Sequence, residues 1–281
     1  MEETVYPQAG YLRENYRLFR LDGGLAKEVG YHYHDFHKLV FFRSGRAAYT
    51  VEGHRYELFP GDCVLVPMGA IHRVEAEVEN GYERLILYMS PRWLRERIGY
   101  GWNPEELFRA AERSRRYLLR PDRGEDDILW ERLLRLEGAL ADTAEYAAER
   151  LADLYMEELL IFLARALRRS GDSKVARGQA SKASEVMRYI TAHLTEELNI
   201  DTLAEVFYVS KYHLMRVFRE ETGFTIHRYI MDKRLLLARS MLAEGIPAGE
   251  TCARCGYKDY SAFSRAYRKQ FGVSPGGSME V

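Results

Sequence analysis

The last hundred residues of this 281-residue chain contain one unit written twice. Leu214 and Phe263, Arg216 and Arg265, Phe218 and Tyr267, Arg219 and Arg268, Gly223 and Gly272, and Thr225 and Ser274 are each 49 positions apart. A constant offset over six chemically matched pairs is the signature of a supersecondary unit built twice. It restricts the C-terminal fold to two equivalent modules and what joins them.

Each module reads as a helix, a tight turn and a second helix. In the first, Thr202-Leu203-Ala204-Glu205 has the form of a capping box opening a short helix. Phe207 to Ser210 is the turn, and Ser210 is placed to cap a helix that stops at Gly223. In the second, Pro247 starts a helix, Gly256-Tyr257 makes the turn and Asp259 can cap the next helix. Residues 225 to about 242 join the copies as a helix spanning roughly 27 Å. Cys252 and Cys255 form a lone CxxC with no second pair, so they are read as core rather than as zinc ligands.

Leu203, Val206, Leu214 and Phe218 face inward in this reading, which leaves Lys211, Tyr212, Met215, Arg216 and Arg219 outside. The second copy exposes Tyr260, Ser261, Ser264, Arg265 and Arg268. Such a helix suits the major groove of double-stranded DNA. Arg reaches guanine edges, aromatic or thioether groups touch thymine methyls, and flanking cations meet phosphates. Two such helices about 34 Å apart would enter successive major grooves on one face of the duplex. Charge alone does not ask for DNA: residues 183–281 carry 13 Lys/Arg against 12 Asp/Glu. The repeat, the caps and the placement of the arginines do.

The N-terminal third alternates and turns as short strands do. A run at 38–45 ends in Ser-Gly, Glu52-Gly53 reads as a hairpin turn, Pro60-Gly61-Asp62 as a second turn, and 81–90 closes the set. Many short strands with regular turns indicate a sandwich or barrel. The spacing Gly61, Pro67, Gly69, His72 resembles the second signature of the cupin barrel, and His32-Tyr33-His34 with Gly45 resembles part of the first. Where the first signature has an acidic residue, this chain has Lys38 or Leu39.

His32 and His34 share a strand face because side chains alternate with period two, and His72 can join them from another strand. His37 has the opposite parity and is expected to face away. Three imidazoles could ligate a metal ion. A Lys38 ammonium in the same cavity would repel one. The favoured reading is therefore a polar pocket for a small organic effector, built by His32, His34, Lys38, Tyr49 and His72, with neither metal nor cofactor. The alternative is a metal-dependent cupin enzyme carrying a DNA-binding tail. It lacks the acidic ligand, an evident nucleophile and paired carboxylates.

Residues 91–170 change to helical spacing. Leu129, Leu133, Leu136 and Leu140 form one stripe, and Leu151, Leu154, Leu159, Phe162 and Leu163 another. These helices are expected to pack on the barrel and to pair two copies as a homodimer. The expected divisions are 1–90 for the effector domain, 91–170 for the helical dimerisation segment, 171–182 for a polar linker and 183–281 for the DNA-binding domain. No apolar run is long enough to span a membrane, no signal peptide is visible, and three cysteines suit a reducing cytoplasm.

Residues 255–275, CGYKDYSAFSRAYRKQFGVSP, resemble the C-terminal signature of the AraC/XylS family of bacterial transcription regulators. Residues 222–242 are similar to that family's linker helix, and the resemblance extends over nearly the whole chain. One departure is the end, Gly-Gly-Ser-Met-Glu-Val after Ser274-Pro275, where the family continues with a Tyr-Arg segment. The resemblance implies an α+β multidomain fold: an N-terminal cupin-like β-barrel with a helical segment, then an all-α double helix-turn-helix domain. It implies a non-enzymatic regulator that binds DNA, with base-reading positions at Tyr212, Met215 and Arg216 and at Tyr260, Ser261, Ser264 and Arg265. It also implies control by a sugar or sugar derivative, and an output through promoter occupancy or contact with RNA polymerase.

Overall fold

A computed structural model of the chain describes residues 12, 14–22, 30–77, 81–121, 124–169 and 179–277. They fall into two compact units, one within Pro7–Ala180 and one within Ser181–Val281.

Among the described residues the first unit opens with seven strands: β1 (Tyr16–Leu21), β2 (His37–Gly45), β3 (Ala47–Val51), β4 (His54–Glu57), β5 (Cys63–Val66), β6 (His72–Ala76) and β7 (Tyr82–Met89). There follow α1 (Pro91–Arg95), α2 (Glu106–Ser114), β8 (Leu118–Leu119), α3 (Glu125–Ala141), α4 (Ala148–Arg169) and β9 (Gln179–Ala180). The strands form two antiparallel sheets, in the orders β1-β7-β2-β5-β8 and β6-β3-β4-β9. Among the described residues they do not join into one closed hydrogen-bonded ring, so the expected barrel stands as two sheets.

Local chemistry explains the turns. Glu52 and Gly53 both take positive φ, 47° and 75°, which matches the right-handed twist of a two-residue hairpin between Val51 and His54. At Gly45 φ is 103°, and a Cβ would lie 2.0 Å from the Gly81 carbonyl oxygen, so only glycine fits where β2 ends against β7. β1 escaped the sequence reading because it is an edge strand of mixed exposure carrying Arg17 and Arg20.

The five-stranded sheet is buried on both faces. One face, with His37, Leu39 and Phe41, turns to the helices, where the His37 ring stacks on Phe108 at 4.1 Å. Leu129, Leu133 and Leu136 of α3 are buried and Leu140 partly so. The second stripe needs correction. Leu159 and Leu163 are buried and Phe162 partly so, but Leu151 and Leu154 are 43% and 46% exposed. The inward face of α4 instead runs Ala152, Met156, Leu159, Leu160 and Leu163, at spacings of three and four. The expected linker lies largely outside the described residues. In its described part β9 pairs with β4, and Ser181 caps the next helix.

Among the described residues the second unit has six helices: α5 (Lys182–Ala192), α6 (Ile200–Val206), α7 (Lys211–Thr222), α8 (Ile226–Ala243), α9 (Ala248–Arg254) and α10 (Tyr260–Phe271). Ser210 accepts from the His213 N–H, and Asp259 from the Ala262 N–H, so α7 and α10 start alike. Both stop at a left-handed glycine, Gly223 and Gly272. The expected capping box is wrong. Asn199 caps α6 by accepting from the Thr202 N–H, so Thr202 lies inside the helix.

The repeat has two offsets. α7 and α10 stand 49 residues apart, whereas the Val209 N–H to Ala204 bond is matched by Tyr257 to Cys252, 48 residues on. The second turn therefore carries one extra residue. At that register Tyr208 (φ 54°) is equivalent to Gly256 (φ 84°). Cys252 and Cys255 are buried free thiols packed with Leu235, Phe263 and Tyr267. The joining helix α8 ties the modules together: Arg228 reaches Gln270 on α10, and Arg234 donates to the carbonyls of Leu194 and Glu196. Among the described residues no helix is long and apolar enough to cross a membrane.

A left-handed conformation strains any residue with a Cβ. Tyr208→Gly is expected to stabilise the helical unit by about 0.5–1 kcal/mol, the relief of strain less the added chain entropy. Gly256→Ala is expected to destabilise it by about 1–2 kcal/mol, and its Cβ would stand 3.0 Å from Arg234 Cζ. Urea unfolding followed on the helical signal checks both signs.

Candidate functional sites: the inter-sheet space and the exposed helix faces

The second face of the five-stranded sheet looks at the four-stranded sheet. Lys38 on β2 pairs with Tyr88 on β7, and Phe42 with Arg84. His32 bridges His72 by two backbone bonds of 3.1 and 2.9 Å, which brings the segment before β2 onto the start of β6. The result is a compact cluster. The ring centroids of His32, His34 and His72 are 4.2 to 5.0 Å apart. Tyr49 lies parallel to His72 at 5.9 Å. Lys38 Nζ sits 5.6 Å from the Tyr49 ring and 6.0 Å from that of Tyr88. All five sequence-derived pocket residues thus meet in one buried space. His37 faces the helices instead, where its Nδ1 accepts from the Met68 N–H.

Tyr82, Arg84 and Tyr88 were missed. They share one face of β7 by period two, and that parity was readable. Which face turns inward needed the pairing of Lys38 with Tyr88, which sequence spacing does not supply. Arg84 lies 3.9 Å over the Tyr82 ring and donates to the Tyr82 carbonyl.

Burial sets the charges. It holds His32 down at about 4, assisted by the Lys38 charge, and His72 well below its ordinary value for the same reasons. Burial also lowers Lys38 to about 7, with Arg84 adding to the effect. Among the described residues no carboxylate lies within ion-pair distance of Lys38. One nitrogen from each of His32, His34 and His72 lies within 4.8 Å of the others, a spacing that could hold a metal ion. The electrostatics oppose one: Lys38 puts a cation beside the three nitrogens, and the carboxylate that would offset a dication is absent from the signature position. A metal is therefore a poor fit, and no role is derived from one.

The exposed helix faces in the second unit are built from fewer contacts. Tyr212 is 74% exposed, Met215 41% and Tyr260 46%. Lys211, Arg216, Arg219, Ser261, Arg265 and Arg268 are also exposed, and Ser264 is half-buried. Lys211 pairs with Asp201 at 3.4 Å and Arg216 with Glu220 at 3.3 Å, both in solvent. Among the described residues Arg219, Arg265 and Arg268 have no acidic partner. Three unpaired guanidinium groups on two equivalent helices make a surface suited to an anionic polymer. Tyr208, 96% exposed beside the start of α7, is a further aromatic on this side that the sequence reading placed only in the turn.

Residues 18–161 match the family described as AraC-like ligand binding domain, and residues 203–279 match one described as helix-turn-helix domain. The chain belongs to the AraC family of transcription regulators. The HTH-type transcriptional activator RhaS of Escherichia coli is 28% identical over 249 residues, 87% of this chain and 85% of that protein. RhaS of Shigella sonnei gives the same figures. Among solved structures, the C-terminal domain of AraT, a response regulator from Geobacillus stearothermophilus, is 27% identical over 35% of this chain and 89% of its own, with a TM-score of 0.33. The DNA-binding domain of AdpA in complex with a target DNA is 30% identical over 34% of this chain and 87% of its own, with a TM-score of 0.33. ToxT from Vibrio cholerae is 13% identical over 93% of this chain and 95% of its own, with a TM-score of 0.37. This AraC-family chain is a DNA-binding regulator, not an enzyme.

The buried bases give the fold a defined pH response. His32 and His37 titrate at about 4 and about 3 in the fold but near 6.5 when unfolded, so the unfolded chain binds more protons between those values. Stability is expected to fall as pH drops from 6.5 toward 4, and His37→Gln should make that fall shallower. Lys38 acts in the opposite range: its folded value of about 7 against 10.5 makes stability rise from pH 7 to 10. Lys38→Met is expected to raise the melting temperature at pH 7 and to flatten that rise. Thermal unfolding across pH 4 to 10 reads all three effects.

Proposed function

We propose that this AraC-family regulator binds specific duplex DNA through two helix-turn-helix modules, α6–α7 and α9–α10, under the control of a small molecule held between the sheets. The observation that carries the DNA reading is the repeat itself: two equally capped helices present arginines at the same positions, Arg216 with Arg265 and Arg219 with Arg268. Tyr212, Met215 and Arg216 on α7 read bases, as do Tyr260, Ser261, Ser264 and Arg265 on α10. Lys211, Arg219 and Arg268 meet phosphates.

In the same proposal the sheets form a cupin-like effector domain. His32, His34, Lys38, Tyr49 and His72 bind a sugar or sugar derivative, whose hydroxyl groups match the imidazole acceptors. The effector acts by binding one arrangement of the regulator better than another. Exposed Ile128, Leu134, Leu151 and Leu154 on α3 and α4 support pairing of two copies as a homodimer. The name of the RhaS relatives, transcriptional activators, supports activation as the output, and contact with RNA polymerase is the route taken in this reading. The divisions expected for the effector domain (1–90), the dimer helices (91–170) and the DNA-binding domain (183–281) are kept in this reading, and the site of action is the cytoplasm.

Arg265→Ala is expected to weaken binding to a duplex selected by the wild-type protein by about 1–3 kcal/mol. Binding to random duplex should change much less. Fluorescence anisotropy on both duplexes checks it, and equal losses on the two would remove Arg265 from base reading.

A further inference from the structure

The hydrogen bonds around the histidine cluster fix which ring atoms face the inter-sheet space. His32 Nδ1 lies 2.8 Å from the Gly30 carbonyl oxygen, and His72 Nδ1 lies 2.9 Å from that of Ala70. A carbonyl only accepts, so each Nδ1 carries its ring's proton and each Nε2 keeps a lone pair. His72 Nε2 is buried, and among the described residues no donor reaches it. Burial keeps both rings neutral, so neither Nε2 turns into a donor at cellular pH. The cluster is therefore a pair of hydrogen-bond acceptors waiting for donors.

Lys38 supplies the complementary half. Lys38 is 6% exposed, with rings of Tyr49 and Tyr88 beside it and no carboxylate in ion-pair reach among the described residues. A buried ammonium without an anion is costly. A neutral polyol would satisfy the imidazoles and leave that charge uncompensated. A dication would add to it. A phosphate dianion would exceed it, since the other nearby cation, Arg84, is already stacked on Tyr82 and bonded to its carbonyl.

We propose that the inter-sheet site takes a hydroxylated monocarboxylate, an acid sugar or related hydroxy acid, with its carboxylate on Lys38 and its hydroxyls donated to His72 Nε2 and His32 Nε2. This rests on the reading of that space as the effector site and narrows it from sugars in general to acidic ones. The groups that face Lys38 are Tyr49 on β3, Tyr82, Arg84 and Tyr88 on β7, and the three imidazoles. Among the described residues none of these is an acid, and Asp22 acts on Arg84, so the bound carboxylate is the charge that keeps Lys38 protonated.

The test is calorimetric titration of the full chain with matched pairs that differ in the carboxylate: galacturonate with galactose, gluconate with glucitol, and lactate with propanediol. Galactose 1-phosphate and zinc chloride are the further probes. In at least one pair the acid is expected to bind ten or more times tighter than its neutral partner. Lys38→Met should erase that preference and leave the neutral partner's weak binding in place. Because only the protonated Lys38 accepts the anion, affinity for the acid should fall roughly 30-fold between pH 6.0 and pH 8.5 as Lys38 titrates near 7. A neutral partner that binds as well as its acid, with binding lost in His72→Ala, overturns the acid assignment and preserves the effector site. Preference for the sugar phosphate overturns it in the same way. Binding of zinc alone, lost in His72→Ala, overturns the acid assignment and the effector reading together. Failure of every pair at 10 mM overturns the ligand class.

Discussion

The antiparallel register of β2 against β7 decides what lies between the sheets. It sets Lys38 opposite Tyr88 and Phe42 opposite Arg84, all toward the second sheet, and leaves His37, Leu39 and Phe41 for the helices. Side chains alternate, so a slip of one residue would exchange the two sets. A slip of β2 would push Lys38 into the apolar layer under α2, and Leu39 and Phe41 into the space with the histidines. Gly45 helps hold the register, because β2 and β7 meet there too closely for any side chain. The bulge between Phe42 and Ser44 then absorbs the extra residue at the end of the strand. A polar inter-sheet space is thus a consequence of strand pairing, and its chemistry follows from which residues the pairing turns inward.

The two units handle polar groups in different ways. In the helical unit the polar groups at the helix starts are satisfied locally, by Asn199, Ser210, Thr225 and Asp259, and the arginines on the outer faces remain in water. In the β-domain, ionisable groups are buried and partly uncompensated. A buried lysine and neutral histidines lower stability in exchange for binding specificity, a usual feature of functional sites. In the proposed regulator, the ligand that supplies the missing charge and donors stabilises one state of this domain, and that differential affinity is what can shift an equilibrium.

Much of this was legible in local sequence, and the misses share a cause. Ser210, Asp259, Gly223 and Gly272 announce helix ends by their own backbone chemistry, so each is readable from its neighbours in the chain alone. Asn199 is not, because Thr202 and Glu205 mimic a cap three residues downstream. The offset of 49 was visible in the second helices, but the change to 48 in the first helices emerges only when backbone bonds are matched. His32, His34 and His72 were joined by parity and signature spacing. Arg84 and Tyr88 needed strand register, which is a tertiary property. The stripe on α4 failed at Leu151 and Leu154 because a helix with leucine on several faces does not say which one turns inward.

Between the sheets a lysine with no carboxylate partner among the described residues is buried beside neutral imidazoles. The most direct test is an NMR titration of the ligand-free full chain with ε-¹³C lysine, with the Lys38 signal assigned by its absence in Lys38→Arg. The account predicts a Lys38 titration near 7, well below that of the other lysines. A Lys38 signal that titrates near 10.4 with the rest would place its ammonium in water or beside an anion of the chain, and would contradict both the pocket chemistry and the ligand class drawn from it.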